Sequence, residues 1–312
     1  MDARLRAYPI SPNTPATPVA VNIASGFKLM LGALAVLFKL RVVVLLMLSS
    51  IGGALLAAGG RPAIGDIILL LVTGFLSATG ASALNQYLER DLDTRMRRTC
   101  RRPLATGYFS RPETALEVGI GLIFLAVMIA LPFNLWLTLF LALGALTYVG
   151  IYTMWLKPRT LLNIVIGGAA GSFAVLSGSA AVGNWAQPTV VGLALLVFVW
   201  TPIHFWSLAQ AYRDDYAHAG VPMLPVLVEG RISAWWIALH TSVTVLIGLL
   251  LSADPALGWL YLLPVGAATL WLGYLSIRLI FIPNRFQALK LFKVSNLYLG
   301  IVLLAICGGI LF

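Results

Sequence analysis

The sequence predicts an all-α polytopic membrane protein, with nine transmembrane helices around a central cavity. Three observations predict it. Of 312 residues, 60% are hydrophobic and 10% charged, with a mean hydropathy of +0.93, whereas a soluble domain carries about a quarter charged residues. Apolar segments such as "GIGLIFLAVMIALPF" and "LNIVIGGAAGSFAVLSGSAAV" recur, near the length of about twenty residues that a helix needs to cross hydrocarbon. Basic residues gather on alternate connections, which is the charge asymmetry of an inserted chain.

The spans are expected at about 42–59, 66–88, 115–132, 134–155, 161–182, 188–209, 232–252, 256–281 and 292–311. "GGRPAIGD", "LPFN", "GNWAQP" and "SADPALG" break them on one side, and "KPRT" and "FIPNRFQALK" on the other. Glycine, proline and small polar residues make each break a turn. With the N-terminus in the cytoplasm, every Lys and Arg except Arg61 falls in a cytoplasmic segment. Topology and contact with anionic headgroups then account for the net charge of +10, with no nucleic acid needed. Residues 1–27 read as a flexible Pro/Ser/Thr tail without a signal peptide, and 28–312 as a single nine-helix domain. The short tail and the lack of a transit-type presequence point to a bacterial inner membrane. The two cysteines, Cys100 and Cys307, fall on opposite sides, which excludes a disulfide between them.

Charge concentrates at the end of the second span. "NQYLERDLDTRMRRTCRRPL" holds three of the eleven acidic residues and six of the twenty-one basic ones. Asn85, Glu89 and Asp93 recur every fourth residue, so on a helix they share one face, with Asp91 on a neighbouring one. Oxygen ligands at that spacing suit Mg²⁺, which binds through one or two carboxylates and completes its shell with water and substrate phosphates. Nearby guanidinium groups, Arg98 and Arg102 among them, suit phosphate oxygens. The plainer reading makes the arginines a solvated, orientation-setting loop. That reading explains the acids less well, because carboxylates do little for orientation.

A second cluster, "HFWSLAQAYRDDYAHAGVPMLP", ends the sixth span. It supplies Asp214 and Asp215, with His204 three helical turns below. His204 reads either as a hydrogen-bonded packing residue or, with Tyr152 and Trp206, as part of a functional pocket. Pro202 is expected to loosen the helix there. A third stretch, "YTMWLKPRTLLN", places Lys157 and Arg159 between spans four and five, as diphosphate ligands or as ordinary anchors. The acidic clusters lie four helices apart, which implies two four-helix halves offering carboxylates to one cavity and a ninth helix closing the bundle. The expected metal donors are Asn85, Glu89, Asp91, Asp93, Asp214 and Asp215. A transporter or ion channel is the rival from another class, since intramembrane carboxylates and histidines also mark ion paths. Transporter sites, however, lie near the midplane. A structural partner without catalysis is a third reading, for which the chain supplies no large soluble domain.

These three stretches, in this order on nine spans, resemble the signatures of the UbiA-type intramembrane prenyltransferases, and within them the branch that farnesylates protoheme IX. The likeness runs from about Lys39 to the end. It implies Mg²⁺-dependent transfer of the farnesyl group of farnesyl diphosphate to a vinyl group of heme b, with water added, to give heme O. Asn85, Glu89 and Asp93 match the first metal motif and Asp215 the second. Lys157 and Arg159 match a diphosphate-holding segment, and Arg102 the Arg-Pro after the first motif. Glu89 stands where the family has Asp, Leu40 where it has Pro, and Pro158 where it has a basic residue. Ala174 and Val175 replace a Pro-Pro pair, Ser179 a Trp, and Ile203 a second Pro. The last four lie on spans expected to line the acceptor pocket, which leaves open a sister enzyme with an aromatic or quinone-precursor acceptor.

Overall fold

The computed structural model describes residues 23–311, with side chains from Lys28 onward; residues 1–22, most of the expected tail, lie outside the described residues. Helix α1 (Ile23–Leu37) already begins inside the segment read as tail. The helices that follow are α2 (Leu40–Ala57), α3 (Ile64–Thr94), α4 (Glu113–Ala130) and α5 (Leu135–Ala145), which runs on as a π-helix over Leu146–Leu156. Then come α6 (Asn163–Gly167), α7 (Ala169–Ala181), α8 (Pro188–Ala211), α9 (Arg213–His218), α10 (Leu224–Leu227), α11 (Gly230–Leu250), α12 (Gly258–Phe281) and α13 (Arg285–Leu311). Among the described residues nine helical stretches are long and apolar enough to cross a membrane, with α5 and its π continuation counting as one and α6 with α7 as another. The chain is an all-α, multi-pass membrane protein.

Two ends differ from the expected spans, and both matter. Helix α3 runs on to Thr94, so the whole Asn85–Asp93 ladder is helical. Helix α13 starts at Arg285 instead of near 292. Hydrocarbon offers no water to a bare hydroxyl, so the buried hydroxyls bond carbonyls one turn back, as in Ser49 to Leu45 O (2.9 Å), Thr73 to Leu69 O (2.7 Å) and Thr201 to Val197 O (2.9 Å). Asn134 caps α5 by accepting from the Leu137 N–H (2.9 Å).

The expected two halves are α2 to α5 and α6 to α12. Helix α3 packs on α4, α8 on α11 and α12 on α13, while α2 and α7 join the halves and α13 touches both α2 and α8. The α2–α7 seam depends on missing side chains. A Cβ at Gly53 would collide with the Val175 carbonyl, and one at Gly178 with the Ser50 carbonyl, which is how small residues let helix backbones approach in a membrane. Helix α8 is the most enclosed span, and Leu193, Leu196 and Ile203 on it are fully buried. It continues unbroken through Pro202. The Phe198 carbonyl that Pro202 leaves without its helical N–H partner lies against Gly168, where an added Cβ would stand 3.0 Å away.

Candidate active site

The π-helical stretch brings the third motif onto the first. Its wider turn, seen in the Lys157 N–H to Tyr152 O bond (2.8 Å) spanning five residues, is a form that recurs at functional sites. Tyr148 and Tyr152 stack with ring centroids 5.9 Å apart. Thr153 Oγ1 donates to Tyr148 O (2.8 Å) and accepts from Asn85 Nδ2 (2.9 Å), which ties the stretch to α3.

Around this junction the structure builds a buried charge network. Glu89 and Asp93 are only 7% and 3% exposed, and a carboxylate taken out of water that far requires a partner. Each has one from another part of the chain. Lys157 Nζ bonds Glu89 Oε1 at 2.5 Å. Arg102, on the turn after α3, holds Asp93 through Nη1 at 2.8 and 3.0 Å, and stands 3.9 Å from Glu89 Oε2. Thr99 Oγ1 donates to the Asp93 carbonyl (3.2 Å) and fixes that turn.

A third cation joins them, and the sequence reading missed it. Lys39, between α1 and α2, donates to Asn85 Oδ1 and to Tyr148 Oη (2.8 Å). Burial, reinforced by the Arg102 charge, pushes the Lys39 ammonium down to about 7. In the sequence it is one more lysine at a cytoplasmic span entry, indistinguishable from an orientation signal. With Lys39 protonated, Lys39, Lys157 and Arg102 set three positive charges against the two negative charges of Glu89 and Asp93. Such a cluster favours an anion.

The second motif approaches from the other half. Arg98 Nη2 donates to Tyr216 Oη at 3.5 Å, linking the loop after α3 to α9. Met96, Tyr152, Trp206 and Tyr216 belong to one buried apolar cluster. Asp215 is half-buried, and its Oδ2 is enclosed without a hydrogen-bond partner.

Not every expected residue gathers there. The Asp91 side chain is 85% exposed, with only Arg90 nearby at 3.9 Å. Asp214 is exposed, and its carbonyl lies 3.3 Å from the His218 ring. Arg159 is exposed and donates to the Met154 and Trp155 carbonyls (3.0 and 2.9 Å), closing the end of its own helix. His204 stacks between Trp200 (4.7 Å) and Phe292 (4.4 Å), with Nδ1 3.1 Å from Ser295 Oγ. Trp206 is buried against His240, its Nε1 unpartnered. Val175, Ser179 and Ile203 are fully buried, and Ala174 is half-buried.

The oxygen donors fit Mg²⁺. Among the described residues no three His, Cys, Asp or Glu side chains stand close enough to share one ion. That agrees with a cation taking one or two protein carboxylates and completing its shell from phosphates. The enclosed, unpartnered Asp215 Oδ2 is the oxygen such a cation would satisfy.

Comparison with known proteins agrees with this architecture. The chain is 42% identical over 283 residues to protoheme IX farnesyltransferase 2 of Paramagnetospirillum magneticum, covering 88% of this chain and 96% of the relative. It is 40% identical over 273 residues to the protoheme IX farnesyltransferase of Metallosphaera sedula, covering 87% and 94%. Its fold is similar to that of a digeranylgeranylglyceryl phosphate synthase (TM-score 0.75, 20% identity, 90% of this chain and 98% of that one). It is also similar to an Archaeoglobus fulgidus UbiA homologue bound to GPP and Mg²⁺ (TM-score 0.60, 13% identity, 88% and 99%). The profile of the UbiA prenyltransferase family matches residues 45–311. The chain belongs to the UbiA prenyltransferase family.

Proposed function

We propose that this protein transfers the farnesyl group of farnesyl diphosphate to a vinyl group of heme b, with addition of water, in a Mg²⁺-dependent reaction that makes heme O. One observation carries the proposal: a buried network in which three bases, Lys39, Lys157 and Arg102, meet two carboxylates, at the end of α3 where α5 and the loop after it converge. The names of the relatives at 40–42% identity supply the acceptor. The site lies at the basic end of the spans, the end the positive-inside rule assigns to the cytoplasm. We assign residues 28–312 to one domain in a bacterial inner membrane with its N-terminus cytoplasmic.

In this reading Lys39, Lys157, Arg98 and Arg102 bind the diphosphate, and Glu89 and Asp93 with Asn85 on one side, and Asp215 on the other, would each hold a separate Mg²⁺. Mg²⁺ supplies charge neutralisation on the departing diphosphate. Lys157 and Arg102 are already desolvated and oriented by their carboxylates, so they need little rearrangement as charge builds on the leaving group. The C1–O bond weakens and allylic cation character develops. The stacked Tyr148 and Tyr152 rings offer π faces to it, as Tyr152 does to Lys157 Nζ at 5.8 Å. The apolar bundle excludes water from that cation. We place His204, held by Ser295 through Nδ1 and stacked between Trp200 and Phe292, at the acceptor end of the site.

The test is mass spectrometry of purified protein incubated with Mg²⁺, farnesyl diphosphate and heme b. A product heavier by a farnesyl group plus water is expected. Reaction with a phenol or quinone precursor, and none with heme, would overturn the acceptor. Ion flux in sealed vesicles without any prenyl transfer would overturn the enzyme.

A further inference from the structure

Gln86 is the neighbour of Asn85, yet it points away from the charge network. It is buried at 1% exposure in the middle of the α3 ladder. Its Nε2 donates to two carbonyls at the C-terminus of α1, Val36 O at 2.5 Å and Leu37 O at 2.9 Å. The last carbonyls of a helix have no intrahelical donor and must find one outside; Val36 O also accepts from the Lys39 N–H (3.1 Å), and Gln86 supplies the donor to Leu37 O. Around this contact Leu37, Ala83, Leu104 and Ala115 pack, with Leu34 and Phe38 against them, so α1 is seated on α3 by apolar contacts as well.

Two residues beyond the clamp stands Lys39. Its backbone is left-handed, φ 48° and ψ 46°, the one non-glycine positive φ among the described residues. A residue with a Cβ disfavours that conformation and holds it only where its surroundings fix it. Here it turns the chain between α1 and α2, and the ammonium reaches Asn85 and Tyr148. Asn85 and Gln86, adjacent on one helix, therefore grip the two ends of one device: Gln86 the end of α1, Asn85 the lysine that follows it.

We propose that Gln86 is a positioning residue, which clamps the C-terminus of α1 so that Lys39 is held over Asn85 at the diphosphate end of the site. This rests on the prenyl-diphosphate reading above. Gln86 touches neither substrate nor metal and acts through Lys39.

The test is a double-mutant cycle on the full-length protein in detergent, reading the dissociation constant of farnesyl diphosphate with Mg²⁺ by titration calorimetry, and KM and kcat by transfer to heme b. Gln86→Met keeps length and apolar packing but removes the donor. It is expected to raise Kd and KM about tenfold, the scale of one hydrogen bond to a charged group, with kcat little changed. Lys39→Met is expected to raise them at least as much. The double variant should be no worse than Lys39→Met alone, because the clamp has nothing left to position. Effects that multiply in the double variant, or a fall in kcat at unchanged KM, would overturn the proposal. If Gln86→Met does not fold, Gln86→Asn, polar but too short to span both carbonyls, takes its place in the same cycle with the same expectations. Wild-type protein that binds farnesyl diphosphate but does not modify heme overturns only the acceptor, and the cycle is still read in Kd. Wild-type protein that binds no farnesyl diphosphate overturns the reading and this inference together.

Discussion

The two acidic motifs have similar composition and opposite states. On α3, Glu89 and Asp93 are buried and each is closed by a base from outside the helix. On α9, Asp214 is exposed and Asp215 keeps an enclosed oxygen without a partner. One motif is internally neutralised and the other is not. The difference follows from depth. Inside the bundle a carboxylate without a counter-charge is too costly, whereas a short helix at the membrane edge lets water serve one acid and leaves the other for a ligand.

The largest effect should come from the closed motif. Asp93→Ala, or chelation of the divalent cation, is expected to lower heme farnesylation roughly a thousandfold or more; product mass spectrometry would show it, and full turnover would remove the mechanism. In the open motif, Asp215→Asn should cost roughly a hundredfold in kcat/KM, while Asp214→Asn stays near wild type. Equal losses at the two positions would erase the distinction drawn between them.

Stability should separate the motifs in the opposite sense. Lys157→Met leaves the buried Glu89 without its hydrogen-bonded base, Arg102 standing 3.9 Å away, which is expected to cost about 3 kcal/mol and lower the unfolding midpoint in detergent. Lys157→Met combined with Glu89→Gln should recover much of it, whereas Asp215→Asn should barely move the midpoint. A smaller effect concerns pH. Lys39 faces Asn85, Tyr148, Glu89, Asp93, Arg102 and Lys157, and its depressed value of about 7 means its charge is lost as pH rises through neutrality. KM for the diphosphate substrate should therefore climb several-fold from about pH 6 to 8, and Lys39→Arg should flatten that rise. Asp91→Asn, at the exposed position, should change transfer within about twofold, as surface substitutions do.

The first motif was legible because its spacing is helical and its residues are out of place in an apolar span. Asp215 was legible for the same reason of composition. Lys39 and Gln86 were not. A lysine at a span entry and a glutamine within a polar run each have an ordinary explanation, and only the folding of α1 onto α3 gives them another. Arg159 failed in the reverse direction. It stands beside Lys157 in the sequence, but the turn after the π-helix directs Lys157 inward and Arg159 onto its own carbonyls. Val175, Ser179 and Ile203, read from the sequence as lying on pocket-lining spans, are fully buried.

The sequence by itself determined the solvent, the number of spans and the helix face that carries the carboxylates. Hydropathy, length and periodicity are local properties and need no partner to act. The tertiary structure alone decided which cation meets which acid, because Lys157 and Glu89, or Lys39 and Asn85, are far apart along the chain and adjacent only once α3, the π-helix and α1 have packed. A buried charge is stabilised by whatever lies within a few ångströms of it, and distance in sequence carries no information about that.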